Sequence, residues 1–263
     1  MTSLIVALAG PGRFETVETV STGARGIGLV LDLSNSMLAD DMESARSRLA
    51  VAREAAVRFA ERRSGDELSL VAFGGEAVTR VPPTTDPRVI VDGVQSLQVD
   101  FVRNGTDVSG AVLTSIAQLL SSEREPRVVI LLTDGAHNQA GIQPYATGRA
   151  AAALGIRVHS ISVAPAVGSA DPTEGPPSYE EPTEDLETVL SGVSALTGGR
   201  YFEATSAAAL DSIYIEIDRI ESPTNTPVER EERRSMEAWF LALALLSLAV
   251  EIFLRGSRWG VLR

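Results

Sequence analysis

Oxygen-bearing side chains cluster at two points of the sequence where a short apolar run ends. One run leads into Asp32, and Ser34 and Ser36 follow at alternate positions. Alternate side chains of an extended segment face the same side, so the two hydroxyls and the Asp32 carboxylate can converge. A second run, VVILL, leads into Asp134 within a Thr-Asp-Gly sequence. Ligands of open parallel sheets bind at the carboxyl ends of the strands, where we expect both carboxylates to lie.

A third polar segment, NGTD at residues 104–107, precedes a run with helical period, so the Thr106 hydroxyl can reach the same sheet edge. Carboxylate and hydroxyl oxygens, without nitrogen or sulfur ligands, suit a hard cation such as Mg²⁺, with Mn²⁺ or Ca²⁺ as alternatives. Few carboxylates leave such an ion under-neutralised, so it should attract a further carboxylate from another molecule. The candidate metal ligands are Asp32, Ser34, Ser36, Thr106 and Asp134.

The candidate ligands lie within an alternating pattern of strands and helices. Continuous apolar runs bounded by Asp, Gly or Pro are typical of strands buried on both faces of a parallel sheet. Such runs lie at residues 26–31, 68–73, 128–132 and 157–163. Segments with helical period lie at residues 44–63, 108–121, 144–154, 186–196 and 207–220. The pattern predicts an α/β fold, a doubly wound, mostly parallel sheet with helices on both faces.

Composition excludes several classes of function. The 263 residues include 35 acidic and 23 basic ones, and the net charge of -12 makes nucleic acid an improbable partner. The chain has no cysteine and no lysine, which removes thiol nucleophiles, thiolate metal sites and Schiff-base chemistry. No serine lies in a G-x-S-x-G nucleophile elbow. We therefore expect that the protein is not an enzyme.

The two histidines, His137 and His159, are the remaining candidate bases. His159 lies in a strand pattern, which indicates packing, and His137 is expected in a solvated loop near Asp134. One histidine without a nucleophile does not make a catalytic dyad. A metal-dependent phosphatase-like enzyme is one alternative, although Ser34 stands where a haloacid dehalogenase phosphatase would have its second Asp. A metal-free scaffold is the other alternative.

The end of the chain is predicted to cross a membrane. Residues 238–254 form an apolar run with one charge, Glu251, and Trp239 and Trp259 lie near the two ends. A bilayer is spanned by about 20 apolar residues, with a lower range of about 17, so this segment predicts a short transmembrane helix. Arginines on both sides of the segment do not choose an orientation.

The predicted organisation has one globular domain with appended segments. The apolar run at residues 4–9 is either a first strand or the remnant of an upstream membrane helix. The predicted parts are an N-terminal segment at 1–22, the α/β domain at 23–222, a charged linker with prolines at 223–236, a transmembrane helix at 237–255 and a short basic tail at 256–263.

The polar motifs resemble the metal-ion-dependent adhesion site of von Willebrand factor A (VWA) domains, known also from integrins. The similarity lies in D-x-S-x-S at residues 32–36, in Thr106 within Gly-Thr-Asp, and in Thr-Asp-Gly at residues 133–135. Asn35 stands where Gly is common between the two serines, but its position is not that of a ligand. The resemblance implies that the serines and Thr106 contact the metal. It implies that the two Asp residues act directly or through water.

Three further motifs, together with the apolar span after the domain, are similar to the bacterial BatA-type aerotolerance proteins. The motifs are SGD at residues 64–66, PPTTD at 82–86 and TGGRYF at 197–202. The resemblance to the adhesion site implies a protein partner whose acidic side chain completes the metal coordination, and the BatA resemblance adds the setting. It implies a bacterial inner-membrane location and a role in cell-envelope stress or complex assembly. It also implies a MoxR-type AAA+ ATPase and other VWA membrane proteins as partners.

Overall fold

Eight strands and six helices alternate along the part of the chain that this computed structural model describes. The described residues are 12–20, 24–42, 45–122, 124–135, 142–163, 185–221, 227–235, 245–246, 249–250 and 252–253. The strands are β1 Gly12–Val20, β2 Gly26–Asp32, β3 Glu67–Phe73, β4 Ala77–Thr84, β5 Arg127–Thr133, β6 Ile156–Val163, β7 Tyr201–Ala204 and β8 Pro227–Ser235. The helices are α1 Arg48–Glu61, α2 Pro87–Gln95, α3 Val108–Leu119, α4 Pro144–Ala153, α5 Leu186–Thr197 and α6 Ala207–Ile220.

Six of these strands form one sheet in the order β4-β3-β2-β5-β6-β7. β2 pairs in parallel with both β3 and β5, so it occupies the centre of the sheet. All seven residues of β2 are buried, which is why its sequence is a continuous apolar run rather than an alternating one. The carboxyl ends of β2 and β5 are neighbours, and these are the ends that carry Asp32 and Thr133.

Helices cover both faces of the sheet, and each face has its own apolar core. Alternate residues of β2 point to opposite cores: Leu29 and Leu31 belong to one and Val30 to the other. The first core is closed by α1, α2 and α6, and the second by α3, α4 and α5. The doubly wound, mostly parallel α/β fold predicted from the sequence is therefore confirmed.

Two elements at one edge of the sheet were not predicted. β4 pairs antiparallel with β3, with shifts in register, and it includes Pro82 and Pro83 of the PPTTD motif. Proline is tolerated there because the outer side of an edge strand needs no ladder hydrogen bond. Asp86 then caps α2 by accepting from the amide of Arg88, and Pro87 is the first residue of that helix.

The first helix begins later than its periodicity indicates. The sequence pattern predicts a helix from residue 44, but α1 starts at Arg48, where Ser47 caps it by accepting from the Ala50 amide. Before the cap, Met42 and Arg46 form an isolated antiparallel bridge. Met42 and Arg46 therefore lie side by side before α1 begins.

The terminal segments form a unit of their own, made of Met1–Thr22 and Asn225–Arg263, whereas Gly23–Thr224 forms the α/β unit. Within the first unit, β1 pairs antiparallel with β8 over their whole lengths. β8 lies in the segment that the sequence analysis treats as a charged linker. Its pairing partner lies about two hundred residues earlier in the chain, so no local pattern could indicate it.

The predicted transmembrane segment is described only in part. Within the described residues, no helix has both the length and the apolarity that a bilayer crossing requires. Residues 245–246, 249–250 and 252–253 are helical, and their large apolar side chains are exposed, with Phe253 at 74%. The rest of the predicted span, and the apolar run at residues 4–9, lie outside the described residues.

Candidate metal centre

Asp32 ends the central strand with its side chain wholly buried. Its Oδ1 accepts a hydrogen bond from the Ser34 amide at 2.7 Å, and its Oδ2 accepts one from Thr133 Oγ1 at 2.5 Å. Because β5 is the neighbour of β2, Thr133 holds Asp32 from the next strand. Thr133 has a positioning role that the sequence analysis missed, although it lies directly before Asp134.

The loop after β2 presents the two serines side by side. Residues Asn35–Leu38 form a 3-10 turn whose Met37 side chain is fully buried and so anchors the turn to the core. Ser34 Oγ lies 3.0 Å from Ser36 Oγ, so the two hydroxyls share a hydrogen bond. Ser34 is buried and Ser36 is exposed, which leaves this side of the cluster open to solvent.

Asp134 reaches the serines from the end of β5. Its Oδ1 accepts a hydrogen bond of 2.6 Å from Ser36 Oγ, and its side chain is fully buried. Residues 98 positions apart in the chain therefore meet at one oxygen contact. The structure brings Asp32, Ser34, Ser36 and Asp134 together along one hydrogen-bonded line.

Thr106 is held beside this line by a loop that two glycines anchor. The Asp107 amide donates to the carbonyl of Gly74, and the Gly75 amide donates to the carbonyl of Arg103, both at 2.6 Å. A Cβ atom on Gly74 would lie 2.6 Å from the Arg103 carbonyl oxygen, so glycine is needed for this close approach.

The Thr106 hydroxyl itself lies 3.1 Å from the position that a Cβ atom would take on Gly135, the residue after Asp134. Thr106 is buried, with 3% of its surface exposed. All of the candidate ligands thus lie at the carboxyl edge of β2 and β5 or beside it.

A cation that the sequence analysis did not anticipate also contacts the site. Arg48, the first residue of α1, donates from Nη1 to Asp134 Oδ2 at 2.8 Å. The same guanidinium donates from Nε to Asp41 Oδ1 at 2.9 Å and from Nη2 to Asp41 Oδ2. Asp134 therefore has one oxygen on the Ser36 hydroxyl and the other on Arg48.

The carboxylates of the site have different surroundings. Burial raises the pKa of Asp32 to about 6, although the hydrogen bonds from Thr133 and Ser34 act in the opposite direction. The Asp134 charge adds to the increase. At Asp41, the hydrogen bonds from Arg48 lower the pKa of the carboxyl, which keeps this pair charged.

The donor chemistry fits a hard divalent cation. In the described part of the chain, no group of three or more His, Cys, Asp or Glu side chains converges in a way that could hold a metal. The converging atoms at this edge are instead carboxylate and hydroxyl oxygens from three separate loops. Hydroxyl and carboxylate oxygens are ligands that Mg²⁺ and Mn²⁺ accept, whereas softer ions favour nitrogen and sulfur.

The histidines do not supply a base to this edge in the described residues. His159 is fully buried in β6, where its Nδ1 accepts from the Arg200 amide at 3.0 Å and its Nε2 lies 2.8 Å from Glu221 Oε1. Both ring nitrogens thus have polar partners inside the protein. His159 is buried in the strand, as the strand pattern predicts. His137 lies outside the described residues.

Comparison with known proteins relates part of this chain to a known family. Residues 27–137 match the family model described as von Willebrand factor type A domain. A relative from Mycolicibacterium paratuberculosis, named UPF0353 protein, is 29% identical over 227 residues, which cover 82% of this chain and 65% of that protein. This chain therefore spans less than two thirds of that relative's length.

Solved structures show the same fold. The crystal structure of the conserved hypothetical protein BatB from Bacteroides thetaiotaomicron is 26% identical, with a TM-score of 0.62, and the match covers 76% of this chain and 100% of that chain. Proximal thread matrix protein 1 from the mussel byssus, solved with a zinc-occupied MIDAS motif, is 17% identical with a TM-score of 0.58, over 82% of this chain and 49% of that chain. Residues 27–137 are therefore similar to von Willebrand factor type A domains, and the chain is similar to the bacterial BatB protein.

Proposed function

We propose that this VWA domain binds a divalent cation, Mg²⁺ or Mn²⁺, at the carboxyl edge of its sheet, and that the bound cation receives an acidic side chain of a protein partner. The proposed ligands are Asp32, Ser34, Ser36, Thr106 and Asp134. The observation that carries the proposal is the line of oxygens from Ser34 Oγ through Ser36 Oγ to Asp134 Oδ1, with steps of 3.0 and 2.6 Å.

The serine hydroxyls in this line can contact a cation in addition to their protein partners. Ser36 donates its proton to Asp134, so Ser34 is the donor in the contact between the two serines, and one lone pair of Ser36 Oγ is left to face a cation. Asp32 is held in place by Thr133 and by the Ser34 amide, which fixes one carboxylate without using a mobile loop. A bound cation with octahedral coordination would have one position beyond the five proposed ligands, which a carboxylate of another molecule can fill.

The rim of the site suits contact with another protein. Ser36 opens the oxygen line to solvent, and Leu38 in the same turn is 53% exposed. The turn Val99–Phe101 lies against this turn, and Phe101 is 42% exposed. Apolar side chains beside a polar centre are common at interfaces between proteins. A partner with an acidic residue flanked by apolar ones would complement this rim.

The proposed setting is the bacterial inner membrane. The apolar segment at residues 237–255 is the proposed anchor, and the BatB relationship supports work in the cell envelope, in stress response or complex assembly. The proposed partners are a MoxR-type AAA+ ATPase and other VWA membrane proteins. The protein is proposed to act by binding and not by catalysis.

A melting scan tests the metal site. MgCl₂ or MnCl₂ should raise the melting temperature of the wild-type protein, and EDTA should reverse the increase, because a ligand that binds only the folded state stabilises it. Ser34→Ala should abolish this response, since it removes one hydroxyl ligand. Ser121→Ala is the matched control, because Ser121 is exposed beyond the far end of α3 and should leave the response intact.

Two results would overturn the proposal. One is a wild-type melting temperature that is the same in MgCl₂, in MnCl₂ and in EDTA. The other is turnover of a phosphoester that disappears in Asp32→Asn, which would favour the phosphatase-like alternative. A pull-down from solubilised membranes that captures a protein with wild type but not with Ser34→Ala would support the partner role.

A further inference from the structure

Arg48 occupies a position that is electrostatically unfavourable for its own helix. It is the first residue of α1, and the amino end of a helix carries a partial positive charge that disfavours a cation. Its side chain is only 15% exposed, so water does not offset this cost. An arginine in such a place is stabilised by its carboxylate partners and not by the helix.

The guanidinium of Arg48 contacts two carboxylates, the outer one of Asp41 and the inner one of Asp134. Asp41, which is 23% exposed, accepts two of its hydrogen bonds, and the fully buried Asp134 accepts one. A buried carboxylate without a counter-charge is costly, so Arg48 supplies what Asp134 needs in the absence of a metal ion. The Arg48–Asp134 contact uses Oδ2 alone and leaves Oδ1 on the side of the serines.

We propose that Arg48 is a built-in counter-ion that takes the place of the metal's positive charge at Asp134 and thereby lowers the affinity of the site for the cation. This inference rests on the proposed metal-binding function. Two positive charges near one carboxylate repel each other, and the repulsion is weakly screened in a buried site. Asp41 limits the effect, because it neutralises Arg48 from the outer side. The pair Arg48–Asp41 therefore sets how readily the cation is gained and lost.

Variants of this pair should change metal affinity in opposite directions. Arg48→Gln removes the competing charge, so the variant should bind MnCl₂ about tenfold more tightly than wild type, while the metal-free form melts at a lower temperature. Asp41→Asn leaves Arg48 without its outer partner, so Arg48 should hold Asp134 more firmly and binding should weaken several-fold. Arg46→Gln is the matched control. Arg46 lies two residues before Arg48 in the chain and pairs with Glu54 at the surface, so this variant should leave the metal affinity unchanged.

Calorimetric titration of the full chain in detergent with MnCl₂ and MgCl₂ alone, together with melting scans in EDTA, measures these effects. Tighter binding by Arg48→Gln with weaker binding by Asp41→Asn supports the inference. Binding by wild type with unchanged or weaker binding by Arg48→Gln overturns the inference and leaves the metal site in place. Absence of binding by wild type overturns the proposed function itself.

The inference can be tested even if Arg48→Gln does not fold without metal. If Arg48→Gln unfolds in EDTA and refolds when MnCl₂ is added, the cation has replaced the counter-ion, which supports the inference. If it stays unfolded in both conditions, Asp41→Asn decides: unchanged or tighter binding by that variant overturns the inference.

Discussion

Asp32 is an ionisable residue placed where water does not reach it, and this position makes its charge state depend on the fold. Burial raises its pKa to about 6, against about 3.9 for an exposed Asp in the unfolded chain. The folded state therefore binds the proton more tightly than the unfolded state does. The stability that this group contributes is fully present below about pH 4 and is lost as the pH rises to about 6. Above that pH, the metal-free protein carries the cost of a buried charge.

Asp32→Asn should remove this cost and the metal response together. The amide can keep one contact to the Ser34 amide and one to the Thr133 hydroxyl, so at about pH 7 the metal-free variant should be more stable than wild type by about 1–3 kcal/mol. Its stability should also change less between about pH 4 and pH 6. Urea unfolding in EDTA at both pH values measures this.

The control for this prediction is Asp92→Asn, which changes an exposed carboxylate on α2. It should leave the free energy of unfolding at about pH 7 within about 0.5 kcal/mol of wild type. A less stable Asp32→Asn protein in EDTA would show that the buried charge is not the dominant cost at this position.

At the scale of elements, the approach of α3 to β2 sets where the Thr106 loop lies, because Thr106 precedes the first turn of that helix. The approach is close because β2 has glycine at position 28, facing Ser115 of α3. A Cβ atom on Gly28 would overlap Ser115 Oγ but would lie 3.5 Å from Ser115 Cβ, an ordinary contact distance. The Ser115 hydroxyl is buried and has no hydrogen-bond partner among the described residues.

A double-mutant cycle tests this contact. Gly28→Ala should destabilise the domain by about 1–3 kcal/mol through overpacking, and Ser115→Ala should be neutral or stabilising, since it removes an unpartnered buried hydroxyl. The double variant should recover most of the lost stability, because the overlapping oxygen is gone. Equal losses in Gly28→Ala and in the double variant, measured by urea unfolding, would place the strain elsewhere.

At the scale of the whole molecule, the chain comprises an α/β unit and a terminal unit, which differ in chemistry. The α/β unit, Gly23–Thr224, contains both apolar cores and all the candidate ligands. The terminal unit contains the β1–β8 pair and the apolar segment proposed to anchor the protein. The metal response should therefore depend on the first unit and membrane attachment on the second.

Deletion of residues 225–263 tests this division. The full chain should sediment with membranes and need detergent for extraction, because about 17 apolar residues are the lower range for a span. The truncated chain should stay in the supernatant and keep the increase in melting temperature caused by MnCl₂. A truncated chain that still sediments with membranes would locate the anchor elsewhere, and one that loses the MnCl₂ response would show that the two units depend on each other.

The sequence alone determined the features that local spacing encodes. Continuous apolar runs indicated the buried strands, because burial on both faces leaves no polar position in them. The spacing of Asp32, Ser34 and Ser36 placed three oxygens on one loop, and helical periodicity located five of the six α-helices in the described part of the chain within a few residues. These features depend on residues that are close together in the chain, so a local sequence pattern is enough to predict them.

Only the tertiary structure decided which distant residues meet. The contacts of Asp134 with Ser36 and with Arg48 join residues 98 and 86 positions apart, and Thr133 reaches Asp32 across 101. The edge strand β4 and the β1–β8 pair likewise depend on a partner strand, since strand pairing is set by cross-strand contacts more than by intrinsic preference. In the sequence, nothing distinguishes Arg48 from the other arginines of the predicted helix at residues 44–63. Its role at the site follows from the fold that places the first turn of α1 beside the end of β5.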